Sequence, residues 1–162
     1  MPSFTILGGL PGSGKSTVAA RLKAEFGCFV VATDSLRLAL NAGVYPKAEE
    51  YARLDSLVWE LAELAVQRLL ERGVDVAIDA TNLTRERRAR WRRIATAVAP
   101  GVRLTIRWCV GAFDAPERWA RERGHTAEQY WAIRRDVEAA AETPSADEAD
   151  EVLLARIIHQ GT

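Results

Sequence analysis

The chain is 162 residues long, 48% apolar and 27% charged, with 22 Lys and Arg set against 22 Asp and Glu. Those values describe one soluble globular domain. Zero net charge excludes a general basic field that would draw the protein to nucleic acid or a membrane, so any polyanion has to be gripped locally.

Phe4-Thr5-Ile6-Leu7 reads as a buried first strand and not a signal peptide, because it lacks a basic flank and runs straight into Gly9-Leu10-Pro11-Gly12-Ser13-Gly14-Lys15-Ser16. No apolar run is long enough to span a bilayer. The glycine-rich stretch satisfies Gly-x-x-x-x-Gly-Lys-Ser, a phosphate-binding loop whose glycines let successive N–H groups curl around a polyphosphate at a helix N-terminus. A helix follows from Lys15 to Phe26, burying Val18, Ala19, Leu22 and Phe26, and Gly27 stops it. Cys28 to Ala32 is an apolar second strand, followed by a short helix from about Ser35 to Asn41 and a turn region with Gly43 and Pro46. A long helix spans about Ala48 to Arg72, with Leu54, Leu57, Val58, Leu61, Ala65 and Leu69 as its apolar stripe. Val74 to Asp79 is a third strand, Thr84 to Val98 a basic helix and Val102 to Val110 a fourth strand. Two charged helices, Pro116 to Arg123 and Ala127 to Glu142, lead through Thr143-Pro144-Ser145 to a last strand around Glu151 to Ile158. Cys28 and Cys109, in apolar strands without metal-ligand spacing, read as core thiols of a cytoplasmic protein and not as a disulfide.

Strand and helix alternate throughout, which predicts one α/β domain over residues 1–162: a three-layer sandwich around a five-stranded parallel sheet. Such sheets bind ligands at the carboxyl ends of their strands. Four ends should therefore converge: the glycine loop, Thr33-Asp34, Asp79-Ala80-Thr81-Asn82 and Gly111-Ala112-Phe113-Asp114.

Gly12, Ser13, Gly14, Lys15, Ser16 and Thr17 are the expected cradle for a nucleoside triphosphate, ATP or GTP. Lys15 would reach the β and γ phosphates, and the Ser16 hydroxyl would sit on Mg²⁺, a hard cation that takes oxygen ligands. Asp79, at a strand end, is the candidate acid for Mg²⁺ or its waters. Asp34, one helical turn from Arg37, fits a general base beside an arginine that holds the acceptor, but it fits a helix cap beside a solvated arginine equally well. Thr81 and Asn82 are candidate acceptor contacts, with Thr84 available to cap the next helix. In the run Arg85 to Arg93, Arg87 and Arg88 lie nearest the cleft, and the rest reads as a solvated face or as a track for a nucleic-acid backbone. Arg118, Arg121 and Arg123 lie in a polar helix that suits either a lid over the triphosphate, about residues 114–126, or an ordinary surface helix. His125 and His159 show no ligand spacing and are assigned no role.

Taken together, Gly9 to Thr17, Asp34-x-x-Arg37, Asp79-x-Thr81-Asn82-Leu83 with Arg87-Arg88, the arginines ending at Arg123-Gly124, and Thr143-Pro144-Ser145 resemble the small P-loop kinases grouped with the 5′-kinase domain of phage polynucleotide kinase. The resemblance covers nearly the whole chain in order. It implies a P-loop NTPase fold of nucleotide-kinase type with a helical lid, Asp34 as general base for an acceptor hydroxyl, Arg37 on an acceptor phosphate and Arg123 on the donor phosphates. Three functions follow as expectations: a kinase for a polynucleotide 5′-hydroxyl, a kinase for a small hydroxyl metabolite such as a sugar, nucleoside or antibiotic, or a nucleotide-gated module that holds RNA or a protein on its basic helix.

Overall fold

The computed structural model describes residues 1–111 and 116–157, with side chains described except at 116–118 and 156–157. Five strands, β1 (Ser3–Gly8), β2 (Phe29–Ala32), β3 (Val76–Asp79), β4 (Arg103–Gly111) and β5 (Glu151–Ile157), form one sheet in the order β2-β3-β1-β4-β5. Every neighbouring pair is parallel. The connecting helices are α1 (Lys15–Phe26), α2 (Thr33–Leu40), α3 (Ala48–Glu71), α4 (Arg85–Val98), α5 (Pro116–Glu122) and α6 (Ala127–Ala139), with a single 3-10 turn at Ala146–Glu148 before β5.

Side-chain alternation along the strands divides the core into two faces. Phe4, Ile6, Val31, Val76, Ile78, Leu104 and Ile106 point toward α3 and α4, where Ala62, Val66, Leu70, Trp91 and Ala95 meet them. Leu7, Ala77 and Cys109 point to the other face and pack on Val18, Ala19 and Leu22 of α1. The sheet is thus covered on both sides, as the apolar runs of its strands require. Cys28 and Cys109 are both free and buried. Among the described residues no helix is long and apolar enough to cross a membrane.

Two helix faces differ from the sequence reading. The buried row of α3 is Val58, Ala62, Val66 and Leu70, and Leu57 is exposed. One i,i+4 ridge carries the contact, and the apolar stripe drawn through Leu57 runs along the ridge's flank. Phe26, in the last turn of α1, is also exposed, because α1 ends there at Gly27 beyond the sheet contact. Asp34 is not a cap either: α2 begins at Thr33, the residue before it, and its N-cap is Ala32. Thr84 does cap α4, its hydroxyl accepting from the Arg87 N–H at 3.2 Å.

The strand order puts the functional end where the chain reverses direction. From β1 the chain crosses to β2 and β3 on one side, then to β4 and β5 on the other, which opens a crevice at the carboxyl end of β1. The register pairs Leu7 with Asp79, so the β1 loop and the β3 acid emerge side by side.

Candidate active site

The glycine loop is held by backbone contacts that tolerate almost no side chain. The Gly9 N–H donates to the Thr81 carbonyl at 3.1 Å, tying the loop to the end of β3. A Cβ on Gly9, whose φ is +137°, would stand 2.5 Å from the Cys109 carbonyl oxygen. A Cβ on Gly111, at the end of β4, would stand 2.7 Å from the Ser13 oxygen. Gly14, at φ 89°, turns the chain into α1, leaving the first-turn N–H groups of that helix facing the loop's hollow. Lys15 Nζ donates to the carbonyls of Gly9 and Leu10 at 3.0 and 2.8 Å. Burial pushes its ammonium down from the usual lysine range, partly offset by Asp79 and Asp34. The Ser13 hydroxyl is buried and has no partner among the described residues. A polyphosphate would supply the anion these groups lack.

Asp79 lies on the α1 side of β3 and accepts a hydrogen bond from Ser16. Burial raises its pKa, against the lowering effects of Ser16 and Lys15. The donor set fits a hard cation: one hydroxyl and one carboxylate beside a phosphate cradle. Among the described residues no three His, Cys, Asp or Glu side chains group as a metal site, so the other ligands would come from phosphate and water. Ser16 and Asp79 would hold Mg²⁺, and the cation would supply positive charge to the phosphates of the donor.

On the acceptor side, Asp34 is held at both oxygens. Its Oδ1 accepts from Arg37 Nη1 at 3.1 Å and its Oδ2 from Arg123 Nη2 at 2.6 Å. Arg37 is almost wholly buried. It also donates to Asp55 at 2.6 Å and lies 4.5 Å from the centre of the Tyr51 ring. Arg123 lies 4.5 Å from the Trp119 ring centre and 5.3 Å from that of Tyr45. The Nε atoms of both arginines are buried and have no partner among the described residues. Asp34 and Arg123 act electrostatically on both Lys15 and Asp79, so the two halves adjoin.

Sequence reasoning missed Asp55, Tyr51 and Tyr45. Tyr51 and Asp55 are one turn apart at the start of α3 and meet Arg37 through the α2–α3 contact, a pairing that no local pattern displays. The glycines at 9 and 111 flank the loop as strand ends, but only the packing of Ser13 against β4 shows why Gly111 has no side chain.

The structure does not bring all the proposed acceptor residues together. Asn82 is buried, donates to the Leu7 carbonyl at 2.7 Å and accepts from Trp91 Nε1 at 2.8 Å. Its amide is therefore used up joining β1 to α4, and acceptor binding is not available to it. Arg88 is 1% exposed, bonded twice to Glu148 at 2.7 and 3.1 Å and to the carbonyls of Asn82 and Leu83. It is an internal tie between α4 and the segment before β5, and its donors are spent there and not on the crevice at the end of β1. Arg87 leans on α3, 4.0 Å from the Trp59 ring centre and 3.7 Å from Glu63. Thr81 contributes its backbone carbonyl to the loop. Arg85 pairs with Asp147, Arg90 with Glu63, and Arg92 with the Asp147 carbonyl, so these three exposed arginines of α4 are paired to neighbouring elements. A shallow cleft of about 360 Å³ lies on this side of α4, lined by Arg85, Arg88, Glu142 and Glu148 among others. In the lid, Arg121 is exposed. The side chain of Arg118 lies outside the described residues, as do Ala112, Phe113, Asp114 and His159.

A family model for an AAA domain, AAA_33, matches residues 4–143. The chain belongs to this family of P-loop kinases. Similar solved structures include a presumed kinase from Chloroflexus aurantiacus j-10-fl, 16% identical with a TM-score of 0.75 over 96% of this chain and 88% of that one. Kti12 of Chaetomium thermophilum, solved with ADP-AlF3, is 18% identical with a TM-score of 0.66 over 94% and 88%. A chain of the Pnkp1/Rnl/Hen1 complex is 27% identical with a TM-score of 0.55 over 77% of this chain and 40% of that one, so only part of that larger protein has a counterpart here. No curated protein matches the sequence. The fold and family are those of P-loop kinases, and nucleotide binding and phosphotransferase activity are expected of them.

Proposed function

We propose that this AAA_33 kinase transfers the γ-phosphoryl group of ATP or GTP, with Mg²⁺, to the 5′-hydroxyl of a nucleic-acid end. The observation that carries the reading is the Asp34 carboxylate, set at the carboxyl edge of the sheet between Arg37 and Arg123 and within electrostatic reach of Lys15 and Asp79. A carboxylate there can accept the proton of an attacking hydroxyl. Arg37, clamped by Asp55 and Tyr51, would set its guanidinium beside an acceptor phosphate. Lys15, Ser16, Asp79 and Arg123 would hold and neutralise the donor. Resemblance to the Pnkp1 chain supports the choice of acceptor.

A second reading, a small hydroxyl metabolite as acceptor, is favoured by the internal engagement of Arg88 and the α3 contacts of Arg87, which leave Arg37 as the acceptor-side cation. One assay separates the two: incubation with γ-labelled ATP and Mg²⁺ against 5′-hydroxyl oligonucleotides, nucleosides and a sugar panel. Label on oligonucleotides is expected, and label on a sugar alone would overturn the first reading. Asp34→Asn should lower turnover by about 10²- to 10⁴-fold while nucleotide binding persists. Unchanged turnover would remove Asp34 as the base.

A further inference from the structure

Beside Asp34 stands a group of rings that phosphoryl transfer itself does not call for. Tyr45 lies 6.3 Å from Tyr51 and 6.4 Å from His125, ring centre to ring centre, and His125 stacks on Trp119 at 5.8 Å with 16° between the planes. Tyr45 comes from the α2–α3 connection, and that connection is firmly set. The Gly43 N–H donates to the Leu38 carbonyl at 2.7 Å, the Val44 N–H to the Asn41 carbonyl at 3.0 Å, and Asn41 Nδ2 to the Val44 carbonyl at 3.0 Å. Pro46, which follows, is buried and fixes its own φ. The ring is thus presented by a braced turn and not by a side chain free to follow any ligand.

A planar cation already touches this ring. The Arg123 guanidinium bonds Asp34 at 2.6 Å and lies 5.3 Å from the Tyr45 centre, so carboxylate and ring border one space. Its Nε is buried with no partner among the described residues, and a guanidinium gains more from two phosphate oxygens than from a single carboxylate oxygen. Were donor phosphates to draw Arg123 away, the space it leaves beside Asp34 would be bordered by the Tyr45 ring. Burial and the nearby Asp34 carboxylate push the Tyr45 hydroxyl up to about 12, so the ring stays neutral and acts through its face and its neutral O–H.

We infer that Tyr45 is a stacking platform for the terminal nucleobase of the acceptor, in the space beside Asp34 that borders the Arg123 guanidinium. The inference rests on the reading of the acceptor as a nucleic-acid 5′ end. It gives the site a grip on its substrate that does not depend on phosphate charge, in keeping with a neutral chain and a basic helix tied up internally. Stacking on an aromatic ring is tolerant of base identity, so the platform selects for a base being present and not for which base it is.

The test compares two 5′-hydroxyl oligonucleotides that differ only at the terminal residue, one bearing a base and one an abasic tetrahydrofuran, in steady-state labelling by the full chain. Wild type should favour the base-bearing end by about five- to a hundredfold in kcat/KM, expressed in the acceptor KM and not in kcat. Tyr45→Phe should keep that preference and Tyr45→Leu should erase it, with the KM for ATP moving less than about twofold. Equal kcat/KM for the two ends in wild type, or an undiminished preference in Tyr45→Leu, would overturn the platform while leaving the kinase reading in place. Failure of wild type to label either oligonucleotide would overturn both. Fluorescence anisotropy of the same labelled oligonucleotides, with a non-hydrolysable nucleotide present, reads the preference without turnover and in any variant whose melting curve shows it folded.

Discussion

Replacing Arg88 distinguishes a structural arginine from an acceptor contact. Its side chain is 1% exposed, and it satisfies two Glu148 oxygens and two backbone carbonyls across the junction of α4 with the segment that leads to β5. Burial works to raise the pKa of Glu148, but the Arg88 bond, the Ser145 N–H and the charges of Arg88 and Arg85 hold it below the usual carboxylate range. Arg88→Ala leaves that carboxylate buried and short of its main partner, the case in which removing one member of a buried pair costs about 3–5 kcal/mol. A domain of this size loses about 2–4 °C of Tm per kcal/mol, so the expected drop is about 6–20 °C. Urea titration at pH 7 should show the midpoint falling with little change in slope. In the double variant with Glu148→Ala, the loss should be smaller than the two single losses added. A variant that melts within about 2 °C of wild type but binds acceptor poorly would refute the structural assignment and return Arg88 to the cleft.

Gly111→Ala should push the Ser13 backbone, which its Cβ would approach to 2.7 Å. The KM for ATP should rise by about tenfold or more, in line with an overpacking cost of ~1–3 kcal/mol, and titration with nucleotide by calorimetry checks it. Asp55→Asn weakens the 2.6 Å bond that orients Arg37. Steady-state kinetics should show the acceptor KM raised about ten- to a hundredfold with the ATP KM unchanged, as expected for loss of a charged hydrogen bond. Asp147, held to about pKa 2 by hydrogen bonds from Arg85 and Ser145, has its folded pKa below its unfolded value near 3.8. The stability it adds is therefore present at neutral pH and lost as pH falls through that interval. The Tm gap between wild type and Asp147→Asn should be constant from pH 7 to 5 and close as pH approaches about 2.

Much of the fold was legible because its signals are local. Apolar runs at β1, β2, β3 and β4, glycines after α1 and α3, and a phosphate loop between strand and helix each leave a mark within a few residues. The sheet order follows from those marks only through crossover rules, yet β1 does lie beside β3 and β4 as a P-loop protein requires. The donor half of the site was legible for the same reason: Lys15, Ser16 and the Asp79 strand end are short-range patterns. What stayed hidden depends on distant partners. An arginine on a polar helix looks solvated until a carboxylate 60 residues away is found beside it, as Glu148 is beside Arg88. Asn82 looks like a ligand until the Trp91 indole and the Leu7 carbonyl account for its amide. Tyr45 carries no mark at all, since one tyrosine in a turn is common and only the fold sets it against Arg123.

The ion pair between Arg123 and Asp34 makes the two substrates thermodynamically dependent on each other. With Oδ1 bonded to Arg37 and Oδ2 bonded to Arg123, Asp34 has both oxygens engaged, and an acceptor hydroxyl must compete with a charged bond of 2.6 Å. On the proposed reading, donor phosphates would compete for the same guanidinium. Nucleotide binding therefore lowers the cost of freeing Oδ2, and by linkage the acceptor must tighten nucleotide by the same factor. Acceptor affinity measured by anisotropy should rise about five- to a hundredfold when a non-hydrolysable nucleotide and Mg²⁺ are added. Nucleotide affinity measured by calorimetry should rise equally when acceptor is added first. Arg123→Ala should bring both factors toward one, because the base is then uncovered whether or not nucleotide is present. A coupling factor of one in the wild-type chain would mean that Arg123 stays on Asp34 throughout, and the carboxylate would then be an anchor for the lid arginine and not the base.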